Sequence, residues 1–318
     1  MARISLLIPA YNEREVVPHL LEELEAFLRQ QGLGPDDLEA VIVDDGSTDG
    51  TFAHLRQELA RRPFLQPYVK LGRHAKNLGK TAALVTAASL ATGEVFVVFD
   101  ADLQYTLEDA LRLARKVQQE GYDLVVGWKQ GDYPKRFVSS IYNRLSRWLF
   151  QLPIHDMNAM KALRAEVFYL LALRKDWHRY IVPLAVERGF TVTEEKVTLR
   201  PRRAGQSKYT GFWRIVVGIA DLLAVKFQLT VMRKPLLYLG TLSVGFFGAG
   251  LAVGLFALWL RYGLHHGYRP LLYLVILLLI LGAISLTLGL LGEVVSGVED
   301  RFDTLERRLF RWFEQPRD

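Results

Sequence analysis

The chain has 318 residues, half of them hydrophobic, and its 40 Lys and Arg against 34 Asp and Glu give a formal charge of +6. That length accommodates one sizeable domain plus something smaller, and the basic balance suits an anionic partner such as a phosphate group or a membrane surface. The absence of cysteine excludes disulfides and thiolate metal sites, no nucleic-acid recognition motif is present, and the first apolar run stops at Pro9, too soon for a signal-peptide core.

Short apolar runs over residues 4–8, 40–43, 68–71, 95–99 and 124–126 read as strands. Helical patterns lie between them, over 16–30, 51–61, 81–90 and 107–119. Strands that are apolar almost throughout, alternating with helices, argue for an α/β unit: a Rossmann-like, mostly parallel sheet covered on both faces. Ligands of such sheets bind at the carboxyl ends of strands. From residue 137 the pattern changes to helices and one strand-like stretch over 191–199. A basic, glycine-containing loop follows, Arg200-Pro201-Arg202-Arg203-Ala204-Gly205-Gln206-Ser207-Lys208-Tyr209. Residues 212–232 read as a largely apolar helix with Arg214, Asp221 and Lys226 along it, lying in a membrane interface or, alternatively, buried in the domain.

No charged side chain occurs over 236–260 or 271–292. Roughly 20 apolar residues in a helix cross a ~30 Å hydrocarbon core, so the two runs form a transmembrane hairpin joined by residues 261–270. Arg233 and Lys234 precede the first run, and Arg301, Arg307, Arg308 and Arg311 follow the second, against only Arg261 and Arg269 between them. The bias places both termini in the cytoplasm. The expected organisation is a catalytic domain over 1–210, an interfacial region over 211–235, two spans over 236–292 and a cytoplasmic tail over 293–318.

Acids stand at three strand ends. Pro9-Ala10-Tyr11-Asn12-Glu13 ends the first strand, Asp44-Asp45-Gly46-Ser47-Thr48-Asp49 the second, and Asp100-Ala101-Asp102-Leu103-Gln104 the fourth. Any one acid there can be a helix N-cap. Three acidic ends on one sheet edge point to a hard divalent cation, since magnesium takes one or two carboxylates plus substrate phosphates.

Taken together, these segments resemble the family 2 glycosyltransferases of the GT-A fold, over residue 4 to about residue 235. Within that family they are most similar to the polyprenyl-phosphate glycosyltransferases, dolichol-phosphate mannose synthases among them. The loop from Pro201 to Tyr209 fits their Pro-Arg-x-x-Gly-x-Ser-Lys-Tyr pattern, and a two-span C-terminal anchor occurs in one subgroup. The resemblance implies that Pro9, Tyr11, Glu13 and Asp45 hold the base and ribose of a nucleotide-sugar, with Asp44 ordering the pocket and Gly79 and Lys80 lying against the nucleotide. It implies Mg²⁺ or Mn²⁺ on Asp102, with Asp100 and Gln104 completing the shell. Arg136, Arg202 and Lys208 would cradle the phosphate of a polyprenyl phosphate acceptor. Asp156, in His155-Asp156-Met157-Asn158, matches an acid of the family's acceptor-side motif. Relatives usually carry Asn-Cys-Gly or Ser-Gly-Phe just beyond it, where this chain has Asn158-Ala159-Met160, so the sugar pocket is expected to differ. His74, His178, His265 and His266 receive no role.

The expected reaction is a single displacement with inversion, from a UDP- or GDP-sugar to the lipid phosphate at the inner membrane, with Asp156 orienting the reactants. The hairpin offers a surface for self-association. Two other readings remain. A processive polysaccharide synthase would carry Gln-x-x-Arg-Trp, but Arg144-Leu145-Ser146-Arg147-Trp148 lacks the glutamine. A catalytically silent nucleotide-sugar-binding scaffold fits less well with intact Asp100, Asp102 and Arg202.

Overall fold

The computed structural model describes residues 3–130, 136–200 and 213–314, with side chains over 3–130, 142–200 and 218–298 and at Arg301. The chain divides into two compact units, Met1–Phe212 and Trp213–Asp318.

In the first unit the described strands are β1 (Ile4–Ala10), β2 (Leu38–Asp44), β3 (Val69–Arg73), β4 (Val95–Val98), β5 (Leu124–Gln130), β6 (Lys161–Arg164) and β7 (Val192–Thr198). They form one sheet in the order β3-β2-β1-β4-β6-β5-β7. All neighbours run parallel except β6, which is antiparallel to both β4 and β5. The helices are α1 (Val17–Gln31), α2 (Thr51–Ala60), α3 (Lys80–Leu90), α4 (Leu107–Glu120), α5 (Arg136–Phe150), α6 (Ala165–Leu170) and α7 (Ile181–Glu187). They cover the sheet, α3 against β1, β2 and β3, and α4 against β4, β5, β6 and β7.

Burial explains the apolar strands. Leu6, Leu7, Ile8, Val41, Ile42, Val43, Val97, Val125 and Val126 are at most 1% exposed, because helices remove both sheet faces from water. Helix α4 shows how the local sequence sets boundaries. Thr106 accepts the Asp109 amide at its N-terminus, Glu108 and Asp109 oppose the dipole there, and Gly121 ends the helix in the left-handed region.

The strand β6 has no counterpart among the strands expected from the sequence. It places Lys161 beside Val98, the last residue of β4, and beside Val126 of β5. Being reversed, β6 brings its first residue, and the loop before it, to the edge where its neighbours end.

The second unit consists of α8 (Trp213–Thr230), α9 (Pro235–Gly263) and α10 (Arg269–Glu314). In α8, Leu222, Val225 and Leu229 are buried while Leu223 and Phe227 are exposed. Two stretches, Pro235–Gly263 and Arg269–Val298, are long and apolar enough to cross a membrane. They pack on each other as a hairpin: the Ser243 hydroxyl donates to the Gly282 carbonyl at 2.8 Å, and a Cβ on Gly250 would already meet Leu279 at 3.3 Å. Close helix approach through small residues is the packing that operates where no water drives association. The second helix does not stop at Gly292 but continues to Glu314.

Candidate active site

The carboxyl ends of β1 and β2 are laced together by side chains on main-chain groups. The Asn12 amide donates to Ser47 Oγ at 2.8 Å, and the Thr48 amide to Asn12 Oδ1 at 3.0 Å. The Glu13 amide donates to Thr51 Oγ1 at 3.0 Å, and the Arg14 amide to Asp49 Oδ2 at 3.2 Å. Burial raises the Asp49 carboxyl, but its bonds from the Thr51 hydroxyl and amide and from the Arg14 amide outweigh that and hold it below the usual range. Pro9, Tyr11 and Glu13 are half-buried along this rim.

Asp44 and Asp45 lie beneath the surface, 0% and 3% exposed. Both carboxylate oxygens of Asp45 are engaged: Oδ1 by His74 Nδ1 at 2.8 Å and the Leu78 amide at 2.9 Å, Oδ2 by the Gly79 amide at 2.8 Å. Asp45 therefore pins the chain over 74–79 against the end of β2. Gly46 must be glycine under that loop, since its φ is +68° and a Cβ would lie 2.3 Å from the Lys76 carbonyl carbon. The pinned loop ends at Gly79, also at positive φ, where α3 starts.

From the first residue of α3, Lys80 reaches Asp100 at 2.5 Å. Partial burial raises the half-exposed Asp100 carboxyl, but Lys80 and, further off, Lys161 outweigh it and leave it lowered. Next to Lys80, Thr81 meets His178 Nδ1 at 2.9 Å. Burial, with Lys80, Arg179 and Lys161 nearby, pushes His178 down to about 3, so the imidazole is neutral at physiological pH. Beyond Asp100 the loop turns sharply at Leu103, with φ of 54°, and the Gln104 amide donates to Asp102 Oδ1 at 3.3 Å. The Gln104 carbonyl accepts the Arg200 amide at 2.8 Å, so the basic loop departs from the acidic one.

A second charged cluster lies on the other side of β4. Asp156 is 3% exposed; its Oδ1 accepts the Asn158 amide at 3.0 Å and its Oδ2 lies 3.2 Å from Lys129 Nζ. Lys161 is 5% exposed and donates to the Ala159 carbonyl at 2.9 Å. Burial, joined by Lys80 and Lys129 and opposed by Asp156 and Asp100, lowers Lys161 to about 7. Burial and the nearby Asp156, Asp100 and Asp102 carboxylates raise the Tyr105 phenol far beyond its ordinary value, so it stays a neutral donor.

The structure thus brings Asp100, Asp102, Gln104, Lys80, Gly79 and Asp156 to the edge where β4 ends. Arg136 opens α5, its side chain outside the described residues, and Arg202 and Lys208 lie outside them altogether. Sequence reasoning passed over Lys129, Lys161 and Tyr105 and gave His178 no role. A solitary lysine inside an apolar stretch, as in Met157 to Leu163, is the signal that could have flagged Lys161.

The strand order with its one reversed strand, and an acidic loop at the sheet's carboxyl edge, define a GT-A-type sugar-transfer unit. The chain belongs to glycosyl transferase family 2, whose family profile matches residues 5–179. It is 29% identical over 317 residues to dodecaprenyl-phosphate galacturonate synthase of Rhizobium johnstonii, covering 97% of this chain and 92% of that one. It is also 29% identical over 302 residues to undecaprenyl-phosphate 4-deoxy-4-formamido-L-arabinose transferase of Shewanella sediminis, covering 93% and 87% respectively. In fold it is similar to glucosyl-3-phosphoglycerate synthase from Mycobacterium tuberculosis, solved with Mn²⁺, UDP and phosphoglyceric acid. The TM-score is 0.55 at 17% identity, over 72% of this chain and 78% of that one. The same enzyme with Mg²⁺ and UDP gives a TM-score of 0.54 at 17% identity, over 72% and 79%.

Proposed function

We propose that this chain transfers one sugar from a nucleotide-sugar to a polyprenyl phosphate, with inversion at the anomeric carbon, at the cytoplasmic face of a membrane. One observation carries the reading: the acidic Asp100–Asp102 loop is joined at Gln104 to Arg200, where the basic loop begins. A donor site and an acceptor-phosphate site then share one root. The two full-length relatives, both named for sugar transfer involving a polyprenyl phosphate, support the acceptor class.

The donor's nucleoside would lie along Pro9, Tyr11 and Glu13, over the ground built by Asp44 and Asp45, with Gly79 and Lys80 beside its phosphates. The donor set suits Mg²⁺ or Mn²⁺: half-exposed Asp100 and Asp102 and the amide oxygen of Gln104 are hard oxygen ligands. Magnesium takes one or two protein carboxylates and completes its shell with water and substrate phosphate. Such a cation would neutralise charge on the leaving nucleoside diphosphate.

The nucleophile is a phosphate oxygen of the lipid. Its second pKa is about 6, so it attacks as the dianion and no proton has to be removed. The bond from the anomeric carbon to the diphosphate oxygen breaks as the new one forms on the opposite face. Arg136, Arg202 and Lys208 would oppose the charge of the incoming phosphate. Asp156, tied to Lys129 and the Asn158 amide, would orient the sugar or acceptor.

The unit over 1–210 would stay on the cytoplasmic side, with residues 211–235 at the interface, 236–292 spanning and 293–318 returning to the cytoplasm. The basic residues flanking the spans support that orientation. Both spanning helices expose most of their apolar surface, which leaves room for lipid and for a second copy.

The test uses detergent-solubilised chain, polyprenyl phosphate, Mg²⁺ or Mn²⁺, and a panel of UDP- and GDP-sugars. Lipid mass and nucleoside diphosphate are both read. A lipid that gains one sugar, with the gain lost in Asp102→Ala, is the expected result. Donor hydrolysis without a sugar-bearing lipid would refute the acceptor assignment.

A further inference from the structure

The charged groups around the end of β4 pair off unequally. Lys80 is matched by Asp100 and Lys129 by Asp156. Lys161, the most buried of the three lysines, has one carbonyl, that of Ala159, for its three donor positions. Among the described residues no carboxylate lies within 4 Å of it. An ammonium removed from water with no carboxylate in contact is costly; Asp156 and Asp100 oppose that cost only from beyond contact distance, and a ligand carboxylate would supply the missing partner.

Its position narrows the ligand. Lys161 opens the reversed strand β6 beside Val98, two residues before Asp100, and Asp156 and Lys129 lie on its other side. The loop before it is closed by apolar groups, Met157, Ala159 and Met160, each at most 3% exposed. A phosphate brings two charges and a shell of water, and Lys80 and Lys129 stand nearer solvent to meet it, with side chains 34% and 14% exposed. A single, compact negative charge fits one deep ammonium.

Resting on the donor site assigned above, we infer that Lys161 is the receptor for a carboxylate on the donor sugar, so that the nucleotide-sugar carries a hexuronic acid. Its C6 carboxylate would pair with the Lys161 ammonium. A neutral hexose would leave that ammonium unpaired beneath it. Such asymmetry discriminates strongly, because a buried group built for a partner penalises the ligand lacking it. The pairing would also raise the Lys161 pKa from about 7.

The test is binding, and needs no lipid. The full chain in detergent, with Mg²⁺, is titrated calorimetrically with UDP-glucuronate, UDP-galacturonate and GDP-mannuronate, each beside its own 6-hydroxyl parent, and with UDP and GDP alone. At least one uronate should bind on the order of 10- to 100-fold tighter than its parent. In Lys161→Met that gap should close, and in Lys161→Arg it should largely persist. Equal or tighter binding of every parent hexose by the wild-type chain overturns the inference, and this arm requires no variant. A Lys161→Met effect equal for uronates, hexoses and free UDP also overturns it, assigning Lys161 to a phosphate instead. If Lys161→Met does not fold by thermal melting, Lys161→Gln is read in its place. Selective uronate binding without any sugar-bearing lipid would sink the proposed reaction and leave this assignment standing. Lipid product from neutral hexoses without uronate preference would do the reverse, and no binding by any nucleotide-sugar would end both.

Discussion

Replacing Asp45 by Asn removes one negative charge and converts one acceptor oxygen into an NH₂ donor. The native carboxylate is surrounded by donors, with the Leu78 amide on Oδ1 and the Gly79 amide on Oδ2, at 2.9 and 2.8 Å. Whichever way the Asn amide is turned, its NH₂ faces one of those N–H groups. At least one bond to a charged acceptor is lost, and a buried donor is left opposed to another. A hydrogen bond to a charged group contributes about 1.5–3 kcal/mol. The residues over 75–78 are exposed, so the loop can peel away without unfolding the sheet, and the cost should appear locally. Opening would then increase by about 10- to 150-fold. The assay is amide hydrogen exchange at Leu78 and Gly79, with Leu7 and Val41 as core references and nucleotide affinity measured alongside. Faster exchange confined to 74–80, with weaker nucleotide binding, is the expected outcome. Unchanged exchange at Leu78 and Gly79 would refute the view that Asp45 anchors this loop.

Gly46→Ala forces a Cβ to 2.3 Å from the Lys76 carbonyl carbon at a φ of +68°; it should cost about 1–3 kcal/mol or more, read as a lowered melting temperature. Glu39 is held at about 2 from an ordinary 4.5: burial raises it, and the Ser5 hydroxyl, the Thr92 amide, Lys70 and Arg3 more than offset that. A depressed carboxyl contributes stability that is fully present above pH 4.5 and is lost as the pH falls towards 2, about 3 kcal/mol in all. The stability gap between wild type and Glu39→Gln should therefore narrow across that window, and a gap independent of pH would contradict the assignment. Because the chain has no cysteine, single cysteines report topology cleanly. His265→Cys should react with an impermeant maleimide in intact cells, and Ala2→Cys only after lysis.

The parallel part of the fold was legible because it is written in contiguous apolar runs, and β1, β2, β3, β4, β5 and β7 all fall on or beside the expected stretches. The acidic strand ends were legible for the same reason, since a run that stops at Asp44 or Asp100 marks both an edge and a charge. The strand β6 was not. Its four residues, Lys-Ala-Leu-Arg, have a charge at either end and no periodicity to read. Only pairing with β4 and β5 makes them a strand. Lys129 and Lys161 went unnoticed with it, because an isolated lysine has no spacing that distinguishes a solvated side chain from a buried one. Asp45 was singled out by the resemblance alone, and the three donors that engage its carboxylate come from His74, Leu78 and Gly79, some thirty residues on. Beyond Gly292 the return of charge reads as a tail, whereas main-chain hydrogen bonding carries α10 through it.

The reversed strand divides the labour of the site along the chain. Everything proposed to hold the nucleotide and cation comes from residues 9–104, on strands that run towards the ligand edge. The groups proposed to face the sugar, around Asp156 and Lys161, arrive from the opposite direction on a separate segment. A change in that short segment leaves the register of β1, β2 and β4 untouched. On those proposed assignments, altering a few residues at and before the start of β6 would change the sugar taken while leaving the nucleotide site as it is.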